Sequence, residues 1–258
     1  MMIAIRALLI TASLLPVAAL AQVDTQYDAA IAAWTRVLSR FVDTTGRTNF
    51  EALAADREDL NLVVDYFGSV SPESHPEIFT TRSQKLAYHI NAYNALAMQG
   101  VLEVNIPQDF NGFFKRTKFF VFRKVRVGRA SLSLYSYENK VIRPLGDPRI
   151  HFALNCMVRD CPRLPQEPFR AETLESQLTS ATHEFFTNKR HIRLDGDNRE
   201  LWVSEILDFY TEDFVPDGKR QGLFAYVNQY LEEPISHDFE VRFIPYDWTI
   251  NSQQSTER

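Results

Sequence analysis

The stretch TRSQKLAYHINAYNALAMQGVLEV, residues 81–104, is the strongest helical signal in the chain. Thr81 and Gln84 have capping-box spacing: the threonine oxygen accepts a backbone N–H, and the glutamine reaches back to the cap. Leu86, Ile90, Ala97 and Val101 recur on one face, which predicts a helix over 82–104. Asn94 falls on that apolar stripe and Asn91 lies beside it. A buried amide is costly unless hydrogen-bonded. The pair therefore predicts a buried polar network, one that holds the structural segment Tyr246, Asp247 and Trp248. Contact of Asn94 with a substrate is the sharper alternative.

Outward from that helix, periodicity predicts further helices over 27–42 and 50–67, then a loop at Ser71-Pro72 and His75-Pro76. Residues 119–134 read as short strands around a turn at Gly128, and 132–142 as a short helix. A strand over 149–156 and a helix over 173–189 follow. Ile192 to Leu194 and Leu201 to Val203 flank Asp195-Gly196-Asp197-Asn198, a hairpin signature. The same four residues are no calcium loop, because no bidentate glutamate follows at the required position. Ser204 caps a helix through Phe214, another runs through Leu231, and 239–244 is the last strand. No linker or repeat divides the chain. The expectation is an α+β fold: one mainly helical domain, residues 22–251, around a small, mostly antiparallel sheet, with a disordered tail at 252–258.

The first residues carry one positive charge, Arg6, before an apolar run from Ala7 to Leu20 and the small-x-small site Ala19-Leu20-Ala21. That layout predicts a cleavable signal peptide over 1–21, hence export to the periplasm or beyond, with no stable membrane insertion afterwards. The formal net charge is −5, so no overall attraction to nucleic acid is expected. Nineteen Phe and ten Tyr suit an aromatic core. The partner expected is an unidentified small molecule or protein, with no cofactor.

The segment DPRIHFALNC, residues 147–156, leads through Met157 to Asp160 into CPRL at 161–164. With KLAYHINAYNALAMQGVL (85–102), YENKVIRP (137–144) and YDWTIN (246–251), it resembles the domain of unknown function 547 family over about 49–251. Tyr88-His89 departs from the Phe-Trp more often found there. The resemblance implies an exported bacterial member and implies no reaction.

Three chemistries fit the two cysteines. A Cys156–Cys161 disulfide suits an exported chain with an even count, and would stabilise by about 2 kcal/mol. It would accompany a non-enzymatic binding or assembly module. Alternatively, Cys156 or Cys161 is a nucleophile activated by His151, with Asn91, Asn155 or Glu138 orienting the ring, as in a cysteine-dependent hydrolase or acyl transferase. Strand alternation would place His151 and Cys156 on opposite faces, so Cys161 is the easier partner. The third is a metal held by His151, Cys156 and Cys161, which lacks a fourth ligand; no metal is expected. The zinc-deaminase pattern is absent, because position 153 is Ala.

Glu138, Arg143 and Arg149 are expected to form a half-buried ion-pair set, with Arg143 or Arg149 anchoring substrate as the alternative. Lys115 to Arg129 mixes basic and aromatic residues; a hairpin with one solvated and one packed face is expected over a membrane or polymer surface. His183, His191 and His237 show no partner pattern and are expected at the surface.

Overall fold

The computed structural model describes residues 17–236 and 238–254, with side-chain surroundings from Thr25 onward. Residues 1–16 of the expected signal peptide, His237, and 255–258 lie outside the described residues. Among the described residues no helix is long and apolar enough to cross a membrane.

The central helix forms as its cap requires. Gln84 N–H donates to the Thr81 hydroxyl at 3.1 Å, and Thr81 N–H donates to Gln84 Oε1 at 2.9 Å. Three helices precede it: α1 (Val17–Phe41), α2 (Phe50–Ala55) and α3 (Glu58–Ser69). The helix expected over 50–67 is broken because Asp56 leaves helical backbone at φ −136°. The central helix is α4 (Arg82–Glu103), and every residue from Leu86 to Met98 is buried. A helix buried on all sides lies in the core, and its polar residues His89, Asn91 and Asn94 must find partners there. Alanines at 87, 92 and 95 admit close neighbours on faces that the four-residue stripe does not mark. At Gly100 a Cβ would sit 2.9 Å from the Phe119 ring, so its absence brings the segment around Phe119 against α4.

That segment is not a strand. Helix α5 (Phe113–Arg116) runs directly into a π-helical turn, Thr117–Phe122. A short apolar run does not by itself distinguish strand from helix. The expected hairpin follows, β1 (Val125–Val127) with β2 (Ala130–Leu132), turning through Gly128 and Arg129 at positive φ. Helix α6 (Leu134–Tyr137), capped by Ser133, passes into a second π-helical turn, Glu138–Ile142. The strand expected over 149–156 is instead a 3-10 helix, Pro148–Phe152, followed by irregular loop. Asp147 accepts the Arg149 N–H, and Pro148 at the first helical position favours the turn over the extended chain.

Helix α7 (Leu174–Thr187) precedes β3 (Ile192–Asp195) and β4 (Glu200–Ser204), the antiparallel hairpin the turn residues predict. Ser204 caps α8 (Glu205–Phe209); Tyr210 separates it from α9 (Thr211–Phe214). After α10 (Leu223–Val227), strand β5 (Glu240–Ile244) joins β4 in parallel. The fold is α+β and mainly helical, with two of its three strand pairings antiparallel. The C-terminal polar stretch is tied down at its start: Ser252 bridges Thr48, and Gln253 N–H donates to the Thr48 carbonyl at 3.1 Å.

Two aromatic cores meet at the 148–152 turn. Ile150 packs into the core around α1 to α4, while Phe152 packs with Phe185, Phe186 and Phe214 in the second. His151 lies between these two anchors.

Candidate functional site

The two asparagines of the helical stripe shape the site by binding main chain. Asn94 Nδ2 donates to the Ala153 carbonyl at 3.0 Å, and its Oδ1 accepts the Asn155 N–H at 2.7 Å. Asn155 continues the clamp. Its Oδ1 accepts the Met157 N–H and its Nδ2 donates to the Pro162 carbonyl, each at 2.7 Å. Met157 adopts φ +68°, a left-handed conformation that costs a non-glycine residue free energy unless its surroundings hold it. The chain thereby folds back between the two cysteines.

That reversal makes the Cys161 sulfur a focus of donors. It accepts the Cys156 N–H at 3.0 Å and the Tyr246 hydroxyl at 3.4 Å, and the Cys156 sulfur lies 3.8 Å from that hydroxyl. Both cysteines are free thiols. The disulfide expected from their spacing is absent, and Cys161 Sγ takes main-chain, tyrosine and thiol donors instead. Burial pushes the Cys161 thiol up, but hydrogen bonds from the Cys156 thiol, Tyr246 and nearby backbone overcome it and hold it below its ordinary value. The Cys156 thiol moves the other way, raised first by its bond to Cys161 and then by burial and the charges of Cys161 and Glu138. Of the pair, Cys161 is the more readily ionised and Cys156 the donor.

His151 faces the same cavity, which encloses about 810 Å³. Its Nε2 is 2.7 Å from Asp213 Oδ2, and Arg143 grips that carboxylate with two bonds, 2.6 and 2.8 Å. Burial alone would raise the Asp213 pKa; the bonds from His151 and Arg143 outweigh it and hold the carboxyl far below its usual range. An ionised Asp213 can only accept, so Nε2 carries the hydrogen and Nδ1 is left free to exchange a proton. Nδ1 is 3.9 Å from Glu138 Oε1, and Glu138 Oε2 accepts the Tyr93 hydroxyl at 3.1 Å. Tyr210 stacks on the imidazole with ring centroids 3.9 Å apart. The second π-helical turn begins at Glu138, and such turns recur at functional sites.

The residues singled out from the sequence divide sharply. His151, Cys156, Cys161, Glu138, Arg143 and Tyr246 line one cavity. The opposition of His151 and Cys156 expected from strand alternation does not arise, because the chain there is a 3-10 turn. His151 hydrogen-bonds Asp213 and neither thiol. Asn91 is no orienting residue: it binds the Phe169 main chain through both amide atoms, at 2.7 and 3.0 Å. Asn94 holds loop, not substrate. Arg149 binds Asp147 and Glu175 away from the cavity, so it anchors no substrate there. The ion-pair set of Glu138, Arg143 and Arg149 is thus replaced by separate partners. Trp248 lines the cavity, and Tyr246 joins the thiols; Asp247 is structural, its N–H donating to Asp160 at 2.7 Å. The asparagines hold loop 153–155 and Phe169, and do not hold that segment. Tyr88 fits the core, its hydroxyl donating to the Val70 carbonyl, and His89 bonds the Tyr137 hydroxyl at 2.7 Å. His183 is exposed, but His191 is buried, stacked on Phe185 at 4.1 Å.

Sequence reasoning missed Asp213, which lies 62 residues beyond His151 in the four-residue helix α9, with no motif of its own. Tyr93 and Tyr210 were missed as well. Tyr93 sits between the two asparagines of the helical stripe, the one signal that could have drawn it in. Among the described residues no group of three or more His, Cys, Asp or Glu is arranged to hold a metal ion.

Residues 78–186 match the model of the family described as "Protein of unknown function, DUF547". The match takes in α4, the 148–152 turn and both cysteines, and stops short of Tyr210, Asp213 and Tyr246. No curated protein and no solved structure matches this chain.

Proposed function

For a chain that belongs, through residues 78–186, to the DUF547 family, we propose cysteine-dependent acyl transfer, to water or to another acceptor, with Cys161 as nucleophile. One observation carries the reading: a thiol held by converging donors shares a cavity with a histidine whose outer nitrogen is fixed by an ionised aspartate. The Cys161 proton passes to His151 Nδ1 as Sγ attacks the acyl carbon of an ester, thioester or amide, and the S–C bond forms. As the leaving group departs it takes a proton from His151 Nδ1. Water or an acceptor then gives a proton to Nδ1, bonds the acyl carbon and releases the thiolate. The leaving group spans the gap between ring and sulfur. Asp213 and Arg143 orient the ring, and Tyr246 and the Cys156 N–H hold the sulfur. The apolar run and small-residue site before Gln22 support the further proposal of export, which N-terminal sequencing of protein from cells tests.

The test of the reaction is trapping. Purified protein is incubated with a panel of p-nitrophenyl esters and acyl thioesters, quenched in acid and mapped by mass spectrometry. An acyl adduct on Cys161, absent from C161S and failing to form in a stably folded H151A, is the expected result. Turnover without any adduct, or turnover preserved in C161S, overturns the assignment.

A further inference from the structure

Residues 113–122 form one side of the cavity and also a face that no described residue covers. Phe119 is buried and Phe120 half-buried, which roots the segment on Phe110 and Trp248. The other aromatics point out: Phe113, Phe114 and Phe122 are 70, 86 and 70 % exposed. An isolated exposed apolar residue needs no explanation, but three phenylalanines on one ten-residue segment do. The charge along the segment itself is of one sign. Lys115, Arg116, Lys118, Arg123, Lys124, Arg126 and Arg129 fall within a stretch that holds no acidic residue between Asp109 and Glu138, in a chain of net charge −5. Lys115 pairs with Asp109 and Arg123 with Glu103; Lys118, Lys124, Arg126 and Arg129 are exposed and pair with no carboxylate among the described residues.

The exposed face continues into the cavity. Trp248 contacts Phe120 at 6.0 Å, Phe209 at 6.4 Å and Tyr246 at 4.8 Å, and Tyr246 is the residue bonded to Cys161. An aromatic wall thus runs from Phe120, on the same segment as the outward phenylalanines, to Cys161. The Arg116 guanidinium lies over the Trp248 ring at 4.8 Å, placing a cation on that wall.

We propose that residues 113–122 dock on an anionic lipid surface and that the cavity takes an acyl chain from it. Exposed aromatics entering the acyl boundary beside unpaired lysine and arginine are what such a surface recognises. Acyl-chain entry deepens the acyl-transfer reading and rests on it for its chemistry; docking does not.

The test sediments the full chain with phosphatidylcholine vesicles, with and without phosphatidylglycerol. The protein should pellet only with the anionic vesicles and be released by high salt. The double variant F114S/F122S, altered at exposed positions only, should bind about tenfold more weakly or less. K118E/K124E should also fail to pellet, and C161S should pellet like the parent. A dansyl-labelled fatty acid should brighten with the parent and with C161S, and not with V121W, which fills the cavity wall. No pelleting with anionic vesicles, full pelleting of the phenylalanine variant, or a lipid-free dimer abolished by those serines overturns docking. A probe that brightens equally with V121W overturns acyl entry. Pelleting and probe binding without any Cys161 adduct would uphold this proposal and reject the reaction.

Discussion

Helix α4 and the turn-and-loop segment 148–162 both bury polar side chains, and they use them differently. On α4 the amides of Asn91 and Asn94 are satisfied by main-chain groups of other segments. Each amide binds through both its nitrogen and its oxygen, and neither residue lines the cavity. On 148–162 Asn155 does the same, but His151 and Cys161 pair with groups that titrate: His151 with Asp213, Cys161 with Cys156 and Tyr246. They also border open space. Burial of a polar group thus marks architecture where its partners are backbone and marks chemistry where its partners exchange protons beside a cavity.

The largest effect that sharpens this contrast is on turnover. C161A should lose at least about 10⁴-fold in kcat/KM toward an adduct-forming ester while its urea midpoint stays near that of the parent. His191 is the control for a buried histidine with no carboxylate. Burial, aided by the Arg190 charge, lowers it from 6.5 to about 3. The unfolded chain takes up a proton below pH 6.5 and the folded chain does not until about pH 3. Its contribution is therefore intact above pH 6.5 and is lost as pH falls, by about 3 kcal/mol at pH 4. Urea midpoints of the parent and H191F across pH 7 to 4 should diverge in favour of the variant as pH drops; a constant difference breaks the comparison.

How much of this was legible depends on the range of the signal. The α4 helix, its capping box and the 192–203 hairpin rest on local pattern, and local pattern is visible in one sequence. The segments 119–122 and 149–156 were misread because short apolar runs carry no period long enough to separate strand from tight helix. His151, Cys156 and Cys161 stood out by residue type. Asp213 and Tyr210 reach the histidine only through tertiary folding, so no spacing announced them. The roles of Asn91 and Asn94 depended on which atoms face them, and sequence supplies the need for partners without their identity.

Smaller effects follow the same division. N94L should cost about 3 kcal/mol in urea unfolding, since it strands the Ala153 carbonyl and the Asn155 N–H. The loss should appear in stability before it appears in the reaction of folded protein. D213N should keep its fold and lose about 10²-fold in kcat, with its pH profile altered, because an uncharged amide that can also donate no longer fixes the ring's tautomer. R149A, by contrast, should leave kcat/KM unchanged, since its partners lie outside the cavity.

The thiols test the central claim most directly. Iodoacetamide alkylation of each cysteine, resolved by peptide mass spectrometry, is followed against pH in the parent and in Y246F. The expected result is Cys161 reacting first, with a midpoint below the ordinary thiol value that rises in Y246F, and Cys156 reacting only at higher pH. Cys156 reacting first, or both thiols titrating together at or above the ordinary value in both proteins, would contradict Cys161 as the thiolate nucleophile.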